Sequence, residues 1–146
     1  MKAIFDKNAF QPELTGIILL SHGPLAPALV ESSSLIIGEQ SNLVAFGLEP
    51  SDKLEDYIAA VMEAYNAFGG NALILVDMFG GTPCNQLTMA ALRNSLHVLA
   101  LSGLNLPMVM EACTLRMELS GEELLKQVME MTQAGFINIT EKLANH

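Results

Sequence analysis

Tryptophan is absent from the 146 residues, cysteine occurs twice, and basic residues are scarce, with seven Lys and Arg against sixteen Asp and Glu and a formal net charge of −9. Without a cationic surface, counterion release from a phosphate backbone has nothing to act through, and the composition argues against a nucleic-acid partner. Cys84 and Cys113 are too few and too far apart for a disulfide framework and suit a reducing compartment. Long apolar runs are also missing: the longest, such as Ile17 to Leu20 and Ala72 to Val76, fall far short of the roughly 20 residues a membrane-spanning helix needs. The first fifteen residues alternate charge and polarity and lack the core of a signal peptide, so the expected location is cytoplasmic. The nine Met identify no cofactor, because Met is a tolerant core filler. What the chain does have is 51% hydrophobic and 16% charged residues, the balance of one α/β domain. At this length roughly 68–70% of the unfolded surface is buried without metal or disulfide support.

Short aliphatic runs alternate with longer amphipathic stretches, and the breaks fall at Gly, Pro and capping residues. Gly16 to Ser21 reads as a buried strand, followed from Pro24 by a helix with Leu25, Ala28, Leu29 and Ile36 inward and Gly38 at its end. Leu43 to Leu48 is a second strand. The next helix opens at an Asp52–Glu55 capping box, turns Leu54, Ile58, Val61, Met62 and Tyr65 inward, and ends at Gly69-Gly70. Ala72 to Asp77 has no polar alternation and is predicted to be a central strand covered on both faces. Thr82 as N-cap and Pro83 at the first position start a helix to about Asn94. Beyond it lie a strand over His97 to Ser102, a loop entering a helix at Pro107, a helix between a Ser120–Glu123 capping box and Gly135, and an alternating strand, Phe136 to Thr140. The succession implies a doubly wound, mostly parallel sheet with right-handed crossovers.

In such sheets ligands bind beyond the carboxyl ends of the strands, where strand order reverses. With order 2-1-3-4 the first and third predicted strands are neighbours, and His22 at the end of one meets Asp77 at the end of the other. A carboxylate bonded to one imidazole nitrogen sets the tautomer and leaves the other nitrogen free as a nucleophile. Gly23 admits close approach, Gly80-Gly81 allow a turn with inward amides, and Thr82 with the amides of Cys84 and Asn85 makes an anion site at a helix start. Singly, each feature has a structural explanation; together they fall at the edge where α/β proteins place ligands. His97 and His146 have no such setting.

The segments GIILLSHG, LVDMFGGTPCN and GLNLPM, across about residues 15 to 143, resemble the IIA domain of the mannose family of bacterial phosphoenolpyruvate-dependent sugar phosphotransferase systems. Its most specific mark is DxxGGTP joined to a strand-terminal SHG. The resemblance implies a phosphotransferase component without cofactor, in which His22 takes a phosphoryl group, on Nε2, from the phosphocarrier HPr and passes it to a IIB subunit. It makes Asp77 the residue that orients His22, with Gly80, Gly81 and Thr82 at the phosphoryl group. It also implies a homodimer, a link to the membrane only through the IIC/IID complex, and a fold of four parallel strands with an antiparallel fifth, matching Phe136 to Thr140. The corresponding division of the chain is an extension at 1–15, one domain at 16–143 and a tail at 144–146. Many relatives carry a fused IIB domain; here the expected IIB partner is a separate protein.

Within the resemblance, the alternative is a phosphoryl donor to a dihydroxyacetone kinase. A histidine phosphatase is disfavoured because such enzymes carry an Arg before the histidine, where this chain has Ser21, and Arg93 and Arg116 lie far off in sequence. Neither GxxxxGK[ST] nor GxGxxG is present to suggest a nucleotide. No metal is expected, since His22, Cys84 and Cys113 lack a fourth ligand at compatible spacing.

Overall fold

Ile17, Ile18, Leu19 and Leu20 are all fully buried, as a strand covered on both faces requires. They lie in β2 (Gly16–His22), in a computed structural model that describes residues 1–146. The other elements are β1 (Lys2–Ile4), α1 (Leu25–Ile37), β3 (Leu43–Leu48), α2 (Leu54–Ala67), β4 (Ala72–Val76), α3 (Thr82–Arg93), β5 (Leu99–Ser102), α4 (Leu106–Leu115), α5 (Gly121–Ala134) and α6 (Ile139–Ala144). The sheet runs β1-β3-β2-β4-β5, with β3, β2, β4 and β5 parallel in the expected order. Successive residues of β2 serve opposite faces. Ile17 and Leu19 join Met108, Val109 and Leu124 in one core layer, while Ile18 and Leu20 join Phe46, Tyr57, Val61 and Leu87 in the other. No helix is long and apolar enough to cross a membrane.

The antiparallel fifth strand is present, but at the other end of the chain from the one expected. Lys2–Ile4 pairs antiparallel with β3 at the sheet edge, so residues 1–15 contribute a strand, and Phe5 extends the packing onto Phe46 with ring centroids 5.8 Å apart. Phe136 to Thr140 forms no strand. Gly135 closes α5, and the Asn138 side chain accepts from the Glu141 amide at 3.1 Å to start α6. Alternation makes a strand only where an edge receives it, and here a local cap decides the conformation instead.

Both expected capping boxes are absent. Asp52 accepts instead from the Glu49 amide at 2.7 Å, in the loop before α2, and Ser120 makes no side-chain cap bond. The inner face of α2 is rotated to Tyr57, Val61, Ala64 and Tyr65, leaving Leu54 exposed. Tyr57 can be fully buried because its hydroxyl donates to the Phe46 carbonyl at 2.9 Å. In α1 the buried residues are Ala26, Leu29 and Ser33, with Leu25 and Ile36 outside; Ser33 is tolerated because its hydroxyl donates to Val30 O.

At the amino ends of the strands, Arg116 is buried after α4 and donates to the carbonyls of Thr15, Asn42 and Ser41 at 2.6–3.0 Å. The planar guanidinium ties α4 to the entries of β2 and β3 at once, which the single point of a Lys ammonium would not do. Burial lowers the pKa of Arg116. This cation sits at the opposite end of the sheet from His22.

Candidate functional site at the carboxyl ends of the strands

β2 and β4 are hydrogen-bonded neighbours, with Leu20 in register with Val76. The Asp77 amide donates to Leu20 O at 3.0 Å, which sets the Asp77 side chain against the end of β2. His22 Nδ1 lies 2.7 Å from Asp77 Oδ2, and the same oxygen accepts the His22 backbone N–H at 2.9 Å. Asp77 Oδ1 takes the Met78 amide at 2.8 Å. The carboxylate is thus held by three N–H groups and is largely covered, whereas the imidazole is 48% exposed. With Nδ1 donating to Asp77, the neutral ring keeps its lone pair on Nε2.

The loop after β4 lies against that ring. A Cβ on Gly81 would stand 2.7 Å from His22 Cε1 and 3.4 Å from Nε2, so only glycine lets the loop backbone come this close. Gly80 has φ +83°, a left-handed turn that suits glycine, and its carbonyl accepts from the Asn85 side chain at 3.1 Å. α3 begins one residue off the expected frame. Gly81 is the N-cap, Thr82 is the first helical residue, and the Thr82 hydroxyl does not cap the helix. The Asn85 amide is not free either, since it donates to Gly81 O at 2.9 Å. The amides of Gly80, Gly81, Thr82 and Cys84 donate to no acceptor in the chain, and the positive end of the α3 dipole adds to them.

Sequence reasoning passed over two groups that shape this site. Ser21 is fully buried, and its hydroxyl accepts from the Ala26 amide at 2.8 Å, which satisfies the first turn of α1 in place of the Pro24 cap. The signal was there, as a hydroxyl just before a helix, but its partner lies five residues on across a glycine turn. Gly47, within β3, carries no sequence signal beyond that of its strand. Of the residues set aside, His97 pairs with Glu122 at 2.8 Å on the surface, and Cys84 and Cys113 are unbridged. No group of three or more His, Cys, Asp and Glu side chains is placed to hold a metal.

The site lies on an open rim. Leu25, Met78 and Phe79 are exposed there, Phe79 at 84%, beside a cavity of about 350 Å³ between α3 and β5. An exposed nucleophilic nitrogen beside unpaired amides and apolar side chains suits an anionic group carried in by another macromolecule, whose own surface excludes water.

Residues 16–129 match the family model described as the PTS system fructose IIA component. The chain is 32% identical over 134 residues to the fructose-specific EIIA component of Bacillus subtilis strain 168, an alignment covering 89% of this chain and 90% of that protein. It is 25% identical to the sorbose-specific EIIA component of Lacticaseibacillus casei, over 89% of this chain and 94% of the other. Among solved structures, the phosphotransferase system component EIIA from Streptococcus agalactiae superposes with a TM-score of 0.80 at 27% identity, covering 87% of this chain and 98% of that one.

Proposed function

Because the chain belongs to the mannose-type EIIA family of the phosphotransferase system, we propose that His22 is its phosphoryl carrier, loaded by the phosphocarrier HPr and discharged to a IIB subunit. The observation that supports this best is the hydrogen bond from His22 Nδ1 to Asp77, which leaves Nε2 on the ring edge that faces Gly81, in the segment whose amides are free. Nε2 attacks the phosphorus in line as the bond to the donor breaks, and the donor leaves with its electron pair. The charge that appears on the imidazole is balanced by Asp77, and the three phosphoryl oxygens, on which most charge lies, turn toward the amides of Gly80, Gly81 and Thr82 and the Thr82 hydroxyl. The return step runs the same geometry backwards onto the IIB acceptor.

Leu25, Met78 and Phe79 form the docking rim for both partners, and sugar uptake with phosphorylation follows through the membrane components of the transporter. The protein acts in the cytoplasm. The homodimer belongs to the same proposal: β5 ends the sheet with an open edge, Phe136 shares a pocket with Leu101 and Ser102 of that strand, and Phe136, Ile137, Ile139 and Leu143 are all exposed. Incubation with phosphoenolpyruvate, enzyme I and HPr, followed by mass spectrometry at neutral pH, should place one acid-labile phosphoryl group on His22. Undiminished labelling of His22→Ala would overturn the assignment.

A further inference from the structure

Asp77 holds His22 from the β4 side, and the β3 side has its own contact. His22 is in register with Leu48, and Ser21 with Gly47. The Gly23 amide donates to Leu48 O at 2.7 Å, and the chain then turns with Gly23 at φ +57°. That turn carries the Gly23 carbonyl directly over the Gly47 Cα, where a Cβ on Gly47 would collide with the carbonyl oxygen. The obstacle is backbone, which cannot swing aside as a side chain could. We propose that Gly47 is a positioning residue for His22: its missing side chain seats the Gly23 turn against β3, and Tyr57 beneath it holds β3 in place. The proposal rests on the reading of His22 as phosphoacceptor.

Tyr57 reaches this strand end from α2. Its hydroxyl donates to the carbonyl of Phe46, the residue before Gly47, and the ring is fully buried. Burial, and after it the charge of Asp77, raise the pKa of the phenol, so the hydroxyl remains a donor at every working pH. From the Gly23 turn the contact passes to His22 by one peptide bond. Any lift of Gly23 must tilt the His22 ring against Asp77 or drive it into Gly81, because the ring already touches both. Ser21 adds a tie within the turn, its hydroxyl donating to Gly23 O at 3.4 Å. A purely packing role would instead let the strand end relax without moving the ring.

The test follows the imidazole ¹⁵N resonances of the unphosphorylated chain, together with the rate of phosphorylation by HPr. Gly47→Ala should move both ring resonances toward the mixed-tautomer pattern and slow phosphorylation by about tenfold or more. Tyr57→Phe, which keeps the ring and loses only the hydroxyl, should move the same resonances less and in the same direction. Val44→Ala removes buried volume from the same strand away from the turn and should lower stability with native resonances. Native resonances in folded Gly47→Ala overturn the proposal, as do equal shifts in Val44→Ala. Should Gly47→Ala not fold, Tyr57→Phe decides alone, native resonances again counting against it. A wild-type chain that HPr fails to label would remove His22 as acceptor while leaving the resonance comparison intact, so the two failures are told apart.

Discussion

Asp77 accepts three hydrogen bonds, from His22 N, His22 Nδ1 and Met78 N, and that number governs what its replacement does. In Asp77→Asn the amide NH₂ must face at least one of those N–H groups, so a donor opposes a donor. The change should cost about 1–2 kcal/mol of stability through the unsatisfied group. It should also slow phosphoryl transfer to His22 by roughly 100-fold or more, since a neutral amide can offer Nδ1 either its oxygen or its NH₂, so it no longer fixes the tautomer, and it cannot balance the imidazolium. Urea unfolding and single-turnover transfer from phospho-HPr measure the two effects separately; transfer at the wild-type rate would make the carboxylate a structural group. The His22–Asp77 pair was legible in sequence because a strand-terminal SHG and a strand-terminal Asp each stand out locally. Gly47 and Tyr57 were not, because their roles depend on which backbone crosses them.

At the level of elements, the start of α3 separates structural from chemical roles. Sequence spacing assigns Thr82 to the N-cap, where losing its hydroxyl would cost about 1 kcal/mol. In the structure Gly81 holds that position and Thr82 makes no cap bond. Thr82→Ala should therefore change stability by less than about 0.5 kcal/mol while phosphoryl transfer falls severalfold. A large drop in the unfolding midpoint would return the residue to the cap, and unchanged transfer would take its hydroxyl away from the phosphoryl group. The C-terminal segment shows the same limit of local reading: the Phe136 to Thr140 alternation suits a strand, yet Asn138 caps a helix instead. Two local signals compete there, and the segment takes the capped helix although the edge of β5 is open.

For the whole molecule, two buried acids give a pH signature. Burial raises the pKa of Tyr57 above its ordinary 10.0 and that of Cys113 above its ordinary 9.0. Below about pH 8 both are protonated whether folded or unfolded, so their contribution to stability is fully present. As pH rises further the unfolded chain ionises first and binds fewer protons than the folded one, so stability must fall. Urea midpoints measured from neutral to strongly alkaline pH should decline in this window, and less steeply in Tyr57→Phe; equal slopes would place the loss elsewhere. Assembly is tested at the same scale. Sedimentation of the intact chain should show a dimer, and truncation after Gly135 should shift it to monomer. A monomeric intact chain removes the homodimer from the proposal.

The sequence by itself determined the succession of β2 to β5 with the helices between them and the burial of the central strands, because both follow from short-range periodicity. The pairing of His22 with Asp77 at one sheet edge follows once the order 2-1-3-4 is adopted, an order that the flavodoxin-like arrangement supplies and that periodicity alone does not. Tertiary structure alone decided that Lys2–Ile4 and not Phe136 to Thr140 supplies the antiparallel strand, that Arg116 clamps the strand entries, and that Gly47 lies beneath the Gly23 turn. The physical reason is common to all three. Strand edges, buried carbonyls and close backbone contacts join residues far apart in the chain, and no residue's own propensity records what the fold will bring against it.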